Sequence, residues 1–339
     1  MNDSPARYRA GQFAARHFAG AKSGLRLVLD VARLGHIVLG STLMSGIARG
    51  MHRMGLPLWT TAMPAKRRQP RPSDLERLDG AGSHSPAPAL RVVYFPSCIN
   101  QTMGLSKDAP AQRPLVEEMC HLLHKAGYEV IFPEGMDSLC CGQIWESKGM
   151  LDIDDRKSAQ LEAALWKASE EGRYPVLCDQ SPCLHRMRQV MGDARSQKGD
   201  ARPSDAMHLY EPAEFIMKYL VPRLHFHKTQ RHIALHLTCS TRLMGLSDEL
   251  IALARLCSDH VFLPEGVGCC GFAGDKGFTH PEMNRYALRK LRPQIEANCI
   301  EVGYSNSRTC EVGLQANTGI PYMNIAYLVN ECTTAAFPV

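Results

Sequence analysis

The chain has 339 residues, of which 45% are hydrophobic and 22% charged, and it carries a net charge of +5. These values are ordinary for a globular protein and allow two domains, each with its own core. Much of the positive charge lies before residue 75, and no basic stripe is interleaved with aromatic residues, so we expect no nucleic-acid partner. No stretch of 18 uncharged apolar residues occurs, and the sequence therefore predicts no membrane-spanning helix.

The N-terminal segment, residues 1–56, is expected to form basic helices. Its apolar residues fall roughly on one face of a helix, namely Leu25, Val28, Leu29, Ala32, Leu39 and Leu43. Such a face needs a surface to cover it, and three are available: the rest of the chain, a partner protein, or an anionic membrane surface. Residues 57–89 hold six prolines and little apolar content, which predicts a linker.

From residue 90 onward, strands and helices alternate in the same order twice. Strands are predicted at 91–95, 128–132, 175–178, 232–237, 260–263 and 299–304. Helices are predicted at 114–126, 155–171, 211–219, 248–258, 281–297 and 323–330. The alternation predicts an α/β fold with two tandem Rossmann-like repeats, residues 90–227 and 228–339, each around a parallel sheet. Functional sites in such sheets form beyond the carboxyl ends of the strands.

The cysteines repeat with the same order. Both halves contain one cysteine after the first strand, then a Cys-Cys-Gly loop, then one cysteine after the third strand. The eight candidate metal ligands are Cys98, Cys140, Cys141, Cys183, Cys239, Cys269, Cys270 and Cys310. The total of 13 cysteines is odd, and no secretory signal is visible. Reduced thiols in the cytoplasm that bind a metal are therefore favoured over a disulfide scaffold.

Four thiolates suit a soft metal centre, either a cubane iron–sulfur cluster of the 4Fe-4S type or structural zinc. Gly142 and Gly271 allow the sharp turn that lets two adjacent cysteines face one centre. Cys183 and Cys310 are expected at helix starts, where the helix dipole favours a thiolate. The alternative, eight buried cysteines without a ligand, does not account for the duplicated pattern.

The remaining cysteines are not duplicated. Cys120 and Cys257 fall in apolar helices and are expected to pack in the core. Cys178 is a candidate fifth ligand in the first repeat, since Ser305 stands at the matching position of the second. No dinucleotide fingerprint and no Walker A loop is present, so no flavin or nicotinamide site is predicted in this chain.

These motifs resemble the CCG cysteine-rich domains of heterodisulfide reductases, of glycolate oxidase iron–sulfur subunits, and of the C-terminal region of bacterial FAD-linked D-lactate dehydrogenases. The D-lactate dehydrogenases are the most similar, because their local sequence resembles residues 175–183, 268–277 and 303–311 of this chain. The heterodisulfide reductase pattern ends in Cys-x-x-Cys, whereas Gln180 and Ser307 stand at its first cysteine here.

The resemblance implies an oxidoreductase component that carries iron–sulfur clusters, with zinc in one site as an alternative. FAD would be bound by a partner dehydrogenase subunit or domain, and the electron acceptor would be a quinone or a cytochrome. In the similar enzymes the flavin part precedes the N-terminal helices, which favours the partner as the surface that covers them. The expected location is the cytoplasm, with contact to the inner face of the membrane left open.

Overall fold

The N-terminal segment forms two helices in the computed structural model, which describes residues 5–67, 90–191 and 203–336. They are α1 (Pro5–Arg16) and α2 (Phe18–Arg53). Gly40 has a non-helical backbone conformation, with a φ of +73°, and this breaks α2. By length and composition α2 is apolar enough to cross a membrane, contrary to the expectation from the sequence. Only 11% of its most apolar window is buried.

The first repeat is built on four parallel strands. These are β1 (Leu90–Phe95), β2 (Tyr128–Ile131), β3 (Val176–Cys178) and β4 (Leu209–Tyr210), in the spatial order β2-β1-β3-β4. Its helices are α3 (Cys98–Thr102), α4 (Leu115–Lys125), α5 (Gln143–Glu146), α6 (Leu151–Ala168), α7 (Ser181–Val190) and α8 (Pro212–Phe215). A π-helical turn, Ile216–Leu220, follows α8.

The second repeat has a sheet of the same order after β5 (Leu224–Phe226). Its strands are β6 (Ile233–Leu235), β7 (Val261–Phe262), β8 (Val302–Tyr304) and β9 (Tyr322–Met323), arranged β7-β6-β8-β9 and all parallel. Its helices are α9 (Cys239–Leu243), α10 (Ser247–Cys257), α11 (Lys276–Thr279), α12 (Pro281–Ala287), α13 (Leu291–Ala297), α14 (Arg308–Thr318) and α15 (Ile325–Glu331). The expected α/β fold with parallel sheets is confirmed.

The two repeats share a core. Leu122 and Leu123 of α4, Leu250 and Leu253 of α10, and Leu328 of α15 belong to one buried cluster. A further link is the antiparallel pair of β5 with the last strand, β10 (Thr333–Ala335). The repeats are therefore fixed against each other, and the loops at their carboxyl edges hold fixed relative positions.

The predicted linker is partly packed onto the repeats. Leu58 N–H donates to Phe278 O at 2.6 Å, and Ala65 N–H donates to Leu105 O at 2.9 Å. The Arg67 guanidinium, which is buried, pairs with Glu117 at 2.9 Å. Residues 57–67 thus contact both repeats, whereas residues 68–89 of the predicted linker lie outside the described residues.

A single helix over 281–297 is the expectation from the pattern, but the structure has two helices with a turn over residues 288–290. Pro293 explains the break, because its ring clashes with the carbonyl four residues earlier and its nitrogen carries no proton. Within the first turn of α13 both effects are tolerated.

Candidate metal centres

The first cysteine of each repeat opens a short helix directly after the first strand of its sheet. Cys98 begins α3 after β1, and Cys239 begins α9 after β6. The residue before each cysteine is an N-cap: the Ser97 hydroxyl accepts from Asn100 N–H at 3.4 Å, and the Thr238 hydroxyl accepts from Thr241 N–H at 3.0 Å. These caps satisfy helix donors that would otherwise be unpaired, and they fix where the cysteine points.

The Cys-Cys-Gly loops follow the second strand of each sheet and require their glycines. Gly142 has a φ of +88°, and a Cβ there would collide with the Asp154 carboxylate. Gly271 has a φ of +70°, and a Cβ there would lie 2.7 Å from both Ala287 Cβ and Met283 O. Conformation and space together leave glycine as the residue that fits, as the sequence predicts.

A polar side chain from the next helix holds each loop. The Ser158 hydroxyl of α6 donates to Cys141 O at 3.2 Å, and the Asn284 amide of α12 donates to Cys270 O at 2.5 Å. The two bonds reach equivalent carbonyls, although Ser158 and Asn284 were not identified from the sequence. A polar residue on an otherwise apolar helix face is the signal that would have shown them.

The fourth cysteine of each repeat is the third residue of a helix. Cys183 lies in α7 after β3, and Cys310 lies in α14 after β8. In a sheet of order β2-β1-β3-β4, β2 lies on one side of the central β1/β3 pair and β4 lies on the other. The strand order therefore reverses between β1 and β3, and ligands bind at such a switch point. The first and fourth cysteines of each repeat follow the two strands at this point.

We define site 1 as Cys98, Cys140, Cys141 and Cys183, and site 2 as Cys239, Cys269, Cys270 and Cys310. In both sites the thiols contact one another in chain order, first to second, second to third and third to fourth. The Cys270 and Cys310 sulfurs are 3.0 Å apart. Each predicted set of four therefore comes together within its own repeat.

Three thiols of site 1 are buried, and that of Cys98 is half-buried. A hydrogen bond to Cys140 and burial raise the pKa of Cys98, and a hydrogen bond to Cys141 raises the pKa of Cys140 to about 12. The hydrogen bond from Cys141 lowers the pKa of Cys183, but burial and the neighbouring thiols raise it to about 12 overall. Holding four thiolates here thus requires a strong positive charge among them, as a metal ion supplies.

Site 2 is open on one side. Cys239 and Cys269 are exposed, Cys310 is half-buried and Cys270 is buried. Hydrogen bonds from the Cys239 and Cys270 thiols lower the pKa of Cys269 to about 2, and Gly271 N–H also donates to its sulfur at 3.3 Å. Cys269 is therefore the thiol of this site that loses its proton most readily.

The donor chemistry of both sites suits a soft metal centre. Among residues 5–67, 90–191 and 203–336, no group of three or more His, Cys, Asp or Glu side chains is placed to hold one metal ion. The donor set is nonetheless four sulfurs per site, on loops whose glycines leave no room for a side chain. Sulfur donors of this number suit iron–sulfur clusters and also zinc.

Helix α2 covers site 1. Phe18 belongs to a buried cluster with Cys140 and Trp145, and half-buried Cys98 packs against it. The Lys22 ammonium donates to Gln101 Oε1 at 2.6 Å and pairs with Asp137 at 3.2 Å. The N-terminal segment therefore packs partly on the first repeat rather than wholly on a partner.

Two charged groups also lie beside site 1. The Lys22 charge acts to lower the pKa of Cys98, but the hydrogen bond to Cys140 and burial raise that pKa by more. Lys157 interacts electrostatically with Cys140 in the same way. Both ammonium groups lie over the Phe18 ring, at 5.8 Å and 5.3 Å from its centroid. Positive charge at this distance favours thiolates and any negative charge that a bound cluster carries.

The cysteines and histidines outside the two sets of four ligands differ in their surroundings. Cys120 and Cys257 are buried in the shared core, as expected. Cys178 is fully buried at the end of β3, with its thiol 3.8 Å from Gln180 O, so its role as a fifth ligand stays a prediction. His236 is buried, and its Nδ1 shares a hydrogen bond with Ser305 Oγ at 3.0 Å. Its ring also interacts electrostatically with Cys269. His232 stacks on His260 at 4.4 Å, which suits an ordinary strand residue.

The two sites are joined by buried polar contacts. Ser181, at the start of α7, receives hydrogen bonds from the Ser240 hydroxyl (2.8 Å) and the Thr238 hydroxyl (3.2 Å) beside Cys239. On the other side, the Arg308 Nε donates to Asn100 Oδ1 at 3.1 Å. The helix of each fourth cysteine thus packs on the helix of the first cysteine in the opposite repeat.

Residues 92–188 match the family model of CCG, a cysteine-rich domain. The matched stretch carries a CCG-type domain. It contains all of site 1, most of β1, all of β2 and β3 and most of α7, and such a domain suggests an iron–sulfur or redox-related role. The second half of the chain lies outside the match but repeats the strand order and the cysteine contacts of the CCG domain. No curated protein matches the chain.

Proposed function

We propose that the chain is the iron–sulfur electron-transfer component of a flavin-linked 2-hydroxy-acid dehydrogenase, with D-lactate as the favoured substrate. The observation that carries this proposal is the pair of four-thiol sites at the same switch point of two parallel sheets. The FAD and the substrate belong to a partner chain, and a quinone or a cytochrome accepts the electrons.

The residues of each site hold a cluster, and those around site 1 also shield it. A bound 4Fe-4S cluster supplies one-electron transfer without a change of ligands. In site 1 the thiolates of Cys98 and Cys140 are stabilised by Lys22 and Lys157, and Phe18 keeps water away from them. In site 2, Gly271 N–H donates to the Cys269 sulfur, a hydrogen bond of the kind that tunes a reduction potential.

Two one-electron sites match the stoichiometry of the reaction. Oxidation of a 2-hydroxy acid to the 2-oxo acid releases two electrons and two protons, and a flavin can pass on the electrons singly. The contacts of Ser181 with Ser240 and of Arg308 with Asn100 bring the cysteine helices of the two sites together. This proximity supports transfer between the sites.

The test is reduction by substrate. The chain is mixed anaerobically with its purified flavoprotein partner, identified by co-purification and by its flavin spectrum. We expect D-lactate to bleach the iron–sulfur absorbance, and the chain alone to stay oxidised. If no 2-hydroxy acid bleaches the complex while dithionite does, the dehydrogenase assignment is wrong and the redox role remains.

Two other functions are testable in the same preparation. A heterodisulfide or thiol reductase component is favoured by one observation, the burial of Cys178 near Cys98 and Cys141. In that case Cys178→Ala would change the cluster spectrum. A zinc-stabilised assembly module without a redox role would be colourless and would contain zinc but no iron.

A further inference from the structure

Helix α2 has two opposite faces in different environments. Residues Phe18, Lys22, Leu29 and His36 are buried, and the spacing of 3.6 residues per turn puts them on one side of the helix. Leu27, Val31, Leu34 and Val38, at positions i, i+4, i+7 and i+11, lie on the other side. These four side chains are 62–71% exposed.

The buried face is held by the rest of the chain over the first half of the helix. Phe18 packs on Trp145 at 6.4 Å between ring centroids, Lys22 bonds Gln101, and His36 packs on Trp59 at 4.8 Å. Lys66 pairs with Asp30, whose side chain lies between the two faces. These contacts hold α2 along the surface of the protein. The apolar stripe formed by Leu27, Val31, Leu34 and Val38 therefore faces solvent.

The part of α2 beyond the kink at Gly40 exposes apolar side chains too. Leu43, Ile47 and Met51 are also exposed, at 54%, 41% and 42%. An exposed apolar patch of this length indicates a docking surface.

The charge of the N-terminal helices indicates what covers the apolar stripe. Residues 5–53 contain eight Lys or Arg and one acidic residue, a net +7 in a chain whose total is +5, so the remaining residues are net negative. Arg16, Arg33, Arg49 and Arg53 are exposed along these helices. Exposed cationic residues on the same helices as an exposed apolar stripe match an anionic lipid surface, where the stripe enters the acyl boundary and the cations meet headgroups.

We propose that the outer face of α2, defined by Leu27, Val31, Leu34 and Val38, docks on the surface of an anionic bilayer with the helix parallel to it. The helix lies on the bilayer and does not cross it, because Phe18, Lys22, Leu29 and His36 tie its opposite face to the protein. This assignment is independent of the redox function.

The test is sedimentation of the full chain with vesicles of phosphatidylcholine, with or without phosphatidylglycerol. The variant Val31→Gln/Leu34→Gln removes the centre of the stripe. The matched control Leu151→Gln/Tyr286→Gln changes two side chains that are equally exposed elsewhere, at 59% and 69%. Thermal unfolding checks that each variant is folded.

We expect the chain and the control to bind vesicles that contain phosphatidylglycerol, and the stripe variant to bind at least about tenfold more weakly. Binding should weaken with added salt, because salt screens the arginines. Vesicle binding that the stripe variant leaves unchanged would overturn the proposal. So would a dimer that the stripe variant dissociates while the parent chain ignores vesicles, since a second copy would then cover the stripe.

Discussion

Site 1 and site 2 are two versions of one arrangement that differ in their exposure to solvent. Both take their cysteines from the same strand ends, with the same glycine and the same thiol contacts. In site 1, Cys140 is 1% exposed beneath Phe18 of α2, whereas Cys239 and Cys269 of site 2 are exposed. The N-terminal helices pack on site 1 and account for its burial.

The difference in solvent exposure favours different roles for site 1 and site 2 in electron transfer. A covered cluster exchanges electrons slowly with molecules in solution and resists attack, whereas an open one is accessible to a partner. We infer that site 2 is the side on which the redox partner docks. The following predictions either sharpen this contrast or remove it.

The largest effect is expected from removing one ligand per site. Cys98→Ser and Cys239→Ser should each lose the metal of its own site and keep the other, so that iron per chain falls by about half in both. Iron analysis and the absorption spectrum measure this. Cys299→Ser, an exposed cysteine outside both sites, is the control and should keep all its iron. Complete iron loss in either single variant would show that the sites are not independent.

The next largest effect concerns the glycine of site 1. Gly142→Ala forces a side chain into the Asp154 carboxylate and also strains the backbone, and we expect a loss of about 3 kcal/mol or more of unfolding free energy. Gly135→Ala is the matched control, because its φ of +67° imposes similar strain but no atom lies within 4 Å of the new Cβ.

The control should lose about 1 kcal/mol and keep site 1 intact. Chemical denaturation with iron analysis gives both quantities. Equal losses in the two variants would mean that backbone strain, and not the space beside Asp154, decides the residue at Gly142.

The cover over site 1 is tested by Phe18→Ala. Removing this buried ring should cost about 3 kcal/mol of stability and speed the loss of iron from site 1 to a chelator, with site 2 unchanged. Phe13→Ala, in the same segment but 66% exposed, should change neither. Iron release in a Cys239→Ser background isolates site 1. Unchanged release would show that α2 does not protect the cluster.

The smallest effect is a pH dependence that distinguishes the repeats. Burial lowers the pKa of His236 from 6.5 to about 4, while the equivalent position of the first repeat is Phe95. Because the folded pKa is the lower one, the unfolded chain binds the proton first as pH falls. Stability is therefore lost from about pH 6.5 downward, by about 2 kcal/mol at pH 5.

His236→Phe should remove this contribution, so that its stability changes less than that of the parent chain between pH 7.5 and pH 5. Denaturation at the two pH values measures the difference. An identical pH dependence in parent and variant would mean that His236 is not buried as a neutral ring.

The sequence predicts the parts of the fold that have local signals. The apolar runs that become β1 and β6, the turn glycines Gly142 and Gly271, and the helix starts at Cys183 and Cys310 are all recognisable from neighbouring residues. Strands β4, β5, β9 and β10 are absent from the prediction because two or three residues are too few to show periodicity. Strand β7 is equally short but lies in the apolar run 261–263.

Contacts between distant segments could not be predicted. Phe18 lies 127 residues before Trp145, and nothing near Phe18 in the chain indicates that it covers Cys140. Asp154 and Ser158 are different, since they interrupt the face of α6 that continues with Leu161 and Leu165. Polar residues at such positions are buried for a reason, here the support of the Cys-Cys-Gly loop.

The central claim is that both sites hold the same kind of cluster, and it is tested most directly by the metal content of the chain purified without oxygen. Iron, acid-labile sulfide and zinc are measured together with the electron paramagnetic resonance spectrum after reduction by dithionite. Two 4Fe-4S clusters predict about eight iron and eight sulfide per chain and two overlapping signals. Two zinc ions, with no iron and no sulfide, would contradict the claim.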